Sequence, residues 1–150
     1  MNLSDIFQNK PLVAGFIAWS VAQILKIPLD YVRTRKWNWS LLFTTGGMPS
    51  SHSSLMTATT VAIGYHHGFE NPLFALALAI TVIVTYDAAN VRQQSGIHAQ
   101  RINVLFDELL RGHPINQNDL REMLGHTPLE VLGGILLGLV VATAQWLIWK

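Results

Sequence analysis

The sequence predicts an all-α, polytopic membrane helix bundle. We expect about four transmembrane helices plus a short amphipathic loop helix, in one integral membrane domain over residues 1–150. Three observations carry this. Half of the residues are apolar and only 13% are charged, against roughly 25% charged in soluble globular proteins. Mean hydropathy is +0.31. Asp, Glu, Lys and Arg are absent from residues 37–69, 71–86 and 131–149, and about 20 mostly apolar residues suffice to cross a bilayer.

The first apolar segment covers residues 11–27, with Pro11 suited to an early helical position. It has neither a Lys/Arg-rich start nor a small-residue cleavage site, so it is not expected to be a cleaved signal peptide. The second covers residues 50–65 and is rich in Ser, Thr, Ala and Gly, the residues that helix contacts in lipid favour. The third covers residues 72–91 and carries one charge, Asp87. The fourth covers residues 128–149 and contains Gly133, Gly134 and Gly138, better suited to packing or a dimer contact than to ligand binding. Between the third and fourth lies a loop, residues 92–127. Its stretch 102–110 has apolar positions at helical spacing and predicts the amphipathic helix; a second short helix is expected after Asn118 and Asp119. Trp37, Trp39, Trp146 and Trp149 fit interfacial belts.

Charge and composition exclude several function classes. A net charge of +1 rules out nucleic-acid binding by bulk basicity. The absence of cysteine excludes disulfides, Fe–S clusters and thiolate chemistry. With four spans, Arg33, Arg35, Lys36, Arg92, Arg101, Arg111 and Arg121, plus Lys26 at the end of the first segment, fall on one side, and only Lys10 and Lys150 on the other. The positive-inside rule then makes the basic side cytoplasmic, with both termini outside.

Charged groups near membrane depth are costly and are retained for function or pairing. Four polar clusters stand at segment ends: Lys26 with Arg33; Pro49 to Ser53, which includes Ser50, Ser51 and His52; Asp87 with Arg92; and Gly125 to Glu130, which includes His126. Four alternating spans bring all of them to one membrane face. Such a pocket would hold fixed cations suited to phosphate oxygens, helix N-termini that add N–H donors, and two imidazoles. One imidazole could serve as nucleophile and the other as general acid, with Glu130 one turn after His126 on the same helix face. The chemistry this supports is phosphoryl transfer from a lipid phosphate to water. His66, His67 and His113 lie in polar turns and are expected to be solvated.

The same residues carry a family resemblance. Lys26-x6-Arg33, Pro49-Ser50-Ser51-His52 and His126-x-Pro128-x-Glu130-Val131-x-x-Gly134 resemble the three motifs of the type 2 phosphatidic acid phosphatase and vanadium haloperoxidase superfamily: K-x6-R-P, P-S-G-H and S-R-x5-H-x3-D. The stretches GGMPSSHS, YDAANVR and LGHTPLEVLGG look like its small divergent membrane branch. The resemblance implies that Lys26, Arg33 and Arg92 bind phosphate with Ser50 or Ser51, that His52 protonates the leaving group, and that His126 is a nucleophile held by Glu130. Asp87 is a structural partner of Arg92 or a support of the site. No metal and no cofactor are implied.

The motifs also depart from the pattern. Thr34 stands for the proline, Ser51 for the glycine and Glu130 for the aspartate. The third motif is split, since Arg92-x5-His98 has the arginine spacing while His126 has the carboxylate. His126 is the preferred histidine, because its motif runs on into an apolar helix. The expected function is an integral membrane lipid-phosphate or diphosphate phosphatase working through a phosphohistidine. The alternatives are a catalytically inactive lipid-phosphate-binding or lipid-translocating protein, and a structural or assembly partner in the membrane that keeps the motifs as relics. Expected partners are a membrane lipid phosphate, the bilayer and, because four spans enclose little volume, a second copy in a homodimer. The expected location is the cell (inner) membrane, with the site facing the cytoplasm.

Overall fold

The computed structural model describes residues 5–43, 46–109 and 126–149; within these, the side chains of residues 5, 43, 91–93, 95, 100, 104 and 107–109 are not described. The helix expected after Asn118, together with Arg111, His113 and Arg121, lies outside the described residues. Those described form helices α1 (Asp5–Gln8), α2 (Lys10–Thr34), α3 (Ser51–His67), α4 (Pro72–Ala89), α5 (Val91–Leu109) and α6 (Pro128–Ile148), with a 3₁₀ turn at Trp39–Phe43.

Local chemistry sets most of the boundaries. Asn9, Ser50, Asn71 and Thr127 cap α2, α3, α4 and α6, each side chain accepting a first-turn N–H. Pro11, Pro72 and Pro128 occupy first-turn positions where the missing N–H costs nothing. Arg35 closes α2 in the left-handed conformation, its N–H donating to the Tyr31 carbonyl at 2.8 Å. Two expectations need correction. The first helix does not stop near Ile27 but runs past Pro28 to Thr34, so Lys26 and Arg33 lie on one continuous helix. The amphipathic helix is longer than residues 102–110 and starts at Val91, one residue after α4 ends.

The interior is the reverse of a soluble core. Ala14, Ala18 and Ala22 of α2, Ala58 and Ala62 of α3 and Ala142 of α6 are fully buried, while Phe16, Ile24, Ile83 and Val140 point outward. Lipid tails are as apolar as leucine, so burying large side chains between helices gains little. Close backbone approach through small residues gains more. α3 is the hub, packed against α2, α4 and α6. Gly15 of α2 lies against Thr59 and the Leu55 carbonyl of α3. Gly134 and Gly138 of α6 lie against the Ser50 and Ser54 carbonyls. The Gly133–Gly138 stretch is thus an internal packing surface. On the α4 side, the Thr60 and Thr81 hydroxyls pair at 2.7 Å.

α2, α4 and α6 have the length and apolarity to cross a membrane. α3, read from the sequence as a fourth span, has 17 residues, about 25 Å of helix. It is less apolar because its neighbours, and not lipid, surround it.

Candidate functional site

One end of the bundle gathers the motif residues. Here the second half of α2 meets the N-termini of α3 and α6, which run parallel. The Ser50 N–H donates to the Glu130 carbonyl at 2.9 Å, tying the start of α3 to the first turn of α6. Gly134 makes that contact possible, because a Cβ there would run into the Ser50 carbonyl and the Ser53 Cβ. The Pro49-Ser50-Ser51-His52 and His126-to-Gly134 motifs are therefore two halves of one joint, and His52 and His126 face each other with ring centroids 6.5 Å apart.

His126 is 2% exposed. Its Nδ1 lies 3.0 Å from Glu130 Oε2, and that oxygen also accepts the Thr127 N–H at 3.2 Å. The Glu130 N–H in turn meets Thr127 Oγ1 at 3.4 Å, completing a capping box. An ionised carboxylate only accepts. Nδ1 is then the donor, and Nε2 of the neutral ring keeps its lone pair. Nε2 is buried and has no hydrogen-bond partner.

Lys26 is also 2% exposed and lies within Coulombic reach of Glu130. The glycine loop before α3 covers it: Gly47, at φ +92°, sits against the Lys26 methylenes, in a backbone region that side chains rarely adopt. The Ser50 hydroxyl caps α3 and accepts from the Ser53 hydroxyl at 3.0 Å. The Ser51 hydroxyl donates to Gln23 Oε1 at 2.8 Å, and Gln23 Nε2 donates to the Leu42 carbonyl at 3.0 Å. Gln23 thus braces the second motif from α2, three residues before Lys26.

Lys26, Ser50, Ser51, His52, His126 and Glu130 converge at this end of the bundle. Arg33 is exposed, seven residues or roughly 10 Å of helix beyond Lys26 on the same face. Asp87 is half-buried near the end of α4, at the same end of the bundle. Arg92 lies in the first turn of α5, where only its backbone is described. His98 is exposed on α5, whereas His126 has its carboxylate in place; the geometry favours His126. Two contributors escape the sequence reading, although each left a signal. Gln23 is a lone amide in an apolar helix, and Thr127-x-x-Glu130 has capping-box spacing. The expectation of solvated turn histidines holds for exposed His67 but not for His66, which is half-buried with Nε2 3.4 Å from Gln145 Oε1.

A family model described as the Divergent PAP2 family matches residues 7–141. The chain belongs to the Divergent PAP2 family. It is also 38% identical to the uncharacterized membrane protein YuiD of Bacillus subtilis (strain 168), over 92% of this chain and 97% of that protein. No solved structure matches. Membership in the Divergent PAP2 family and three membrane-length apolar helices make this a membrane protein related to type 2 phosphatidic acid phosphatases.

Proposed function

We propose that this protein is an integral membrane phosphatase of a lipid phosphate or diphosphate, acting through a phosphohistidine on His126. The reading rests above all on His126. Its Nδ1 is held by a carboxylate, and its Nε2 is buried without a partner, as an imidazole nucleophile requires. In the first step, Nε2 attacks phosphorus, the phosphorus–oxygen bond to the lipid breaks, and His52 supplies the proton to the departing oxygen. In the second, water attacks the phosphohistidine phosphorus as His52 takes its proton, the phosphorus–nitrogen bond breaks with its electron pair returning to Nε2, and inorganic phosphate leaves. Lys26 and the α3 N-terminus would offset the phosphate charge, and Arg92 and Arg33 would reach it from α5 and the end of α2. In this reading Asp87 supports Arg92, the membrane is the cell (inner) membrane, and the basic face is cytoplasmic.

The test is phosphate release by the purified protein in detergent from a panel of lipid phosphates and diphosphates, with and without EDTA. Metal-independent turnover that vanishes in His126→Ala supports the enzyme. A second reading, a lipid-phosphate binder or translocator without hydrolysis, is favoured by Ser51, whose side chain is braced by Gln23 where the superfamily motif has glycine. Stabilisation by vanadate or a lipid phosphate, with no substrate turned over, would select it.

A further inference from the structure

The opposite end of the bundle carries a second polar cluster, separate from the histidine site. A cavity of about 460 Å³ opens there, lined by Gln8, Asn9, Lys10, Pro11, His66 and His67. Among the described residues no carboxylate lines it. The Lys10 ammonium donates a hydrogen bond to the Trp149 carbonyl at 2.9 Å, and an ammonium carries three N–H donors in all. Gln145 holds the walls together, its Nε2 3.4 Å from the Lys10 carbonyl and its Oε1 3.4 Å from His66 Nε2. The Lys10 cation and the exposed His67 imidazole, with no carboxylate among the described lining residues, complement an anion, while the His66 N–H is held by Gln145 and fixes the wall.

Across the elbow between α1 and α2 lies a second hollow, of about 400 Å³ and almost wholly apolar, whose walls include Phe7, Leu12, Phe16, Ile17 and Val21. From Leu12 to Val21, the stretch of α2 that lines the groove, the helix rises about 14 Å, close to half of a hydrocarbon core of about 30 Å. The groove is therefore one leaflet deep and starts at the level of the cationic cavity. Polar head and apolar tail positions lie side by side at the depth a lipid requires.

We propose that this elbow is a second lipid site, which holds the anionic headgroup of a glycerophospholipid at Lys10 and His67 and one acyl chain along α2. This site does not depend on the histidine chemistry of the other end. The test is native mass spectrometry of the full chain released from detergent containing equal amounts of phosphatidylglycerol and phosphatidylcholine. We expect one phosphatidylglycerol per protomer to be retained in preference to phosphatidylcholine. His67→Glu, at an exposed position, should lower that occupancy about fivefold, the scale of one charge near an anionic headgroup. Phe16→Ser, on the lipid-facing surface, should lower it as well. Soluble glycerol phosphate should not displace the lipid. Equal retention of the two lipids, indifference to His67→Glu, or displacement by glycerol phosphate would each overturn the proposal.

Discussion

The two ends of the bundle each pair a histidine on or beside one helix with a polar side chain of α6, yet they are built for different work. At one end His126 meets a carboxylate at 3.0 Å, and its other nitrogen is buried and unpartnered. At the other, half-buried His66 meets the neutral amide of Gln145 at 3.4 Å, beside a broad cavity. A carboxylate selects one tautomer and stabilises the cationic form that a nucleophilic imidazole passes through. An amide, which can both donate and accept, does neither. The partner and the burial, more than the histidine itself, distinguish the two rings.

Breaking the comparison at its centre should give the largest effect. His126→Ala should lower phosphate release at least 10³-fold, while His66→Ala leaves it within about twofold; a side-by-side assay on one lipid phosphate reads both. If the two variants lose activity equally, the distinction between the ends falls. Glu130→Gln makes the first pair resemble the second, and turnover should drop by roughly 10²- to 10⁴-fold at unchanged substrate affinity. A KM rise with normal kcat would instead make Glu130 a binding residue.

Smaller effects test the scaffold beneath the two ends. Gly134→Ala places a methyl against the Ser50 carbonyl, and overpacking of this kind costs about 1–3 kcal/mol. Thermal unfolding in detergent should show the loss, with phosphate release falling as the two motifs part. Thr81→Val removes the hydroxyl pair between α3 and α4 and should cost about 0.6–1.7 kcal/mol, with no change in activity. At the far end, Lys10→Gln removes a cation from the α6 C-terminus and should cost only about 0.3–1 kcal/mol.

The extent of the legible sequence follows from which interactions are local. Segment starts read well because Ser50, Asn71, Pro72 and Pro128 act on their own first turns. The end of α2 read poorly, since Pro28 and the charges after it look like a stop, yet the helix continues to Thr34 and caps itself at Arg35. His66 looked like a turn residue because Gln145, its partner, lies 79 positions away. Ser51 bonds to Gln23 across 28 positions, and no spacing rule reaches that far.

The sequence by itself determined that the chain enters a membrane, where its spans start, that the second segment is rich in small residues and the fourth carries a glycine run, and which polar side chains stand at the span ends. These follow from composition and short-range periodicity, which each segment carries alone. Only the tertiary structure decided that the His52 and His126 rings face each other, that Lys26 is covered by the Gly47 loop while Arg33 stays exposed, and that α3 is the hub. Those outcomes depend on helix backbones approaching through Gly15, Gly134 and Gly138, and the depth of that approach belongs to the pair of helices and to neither one separately.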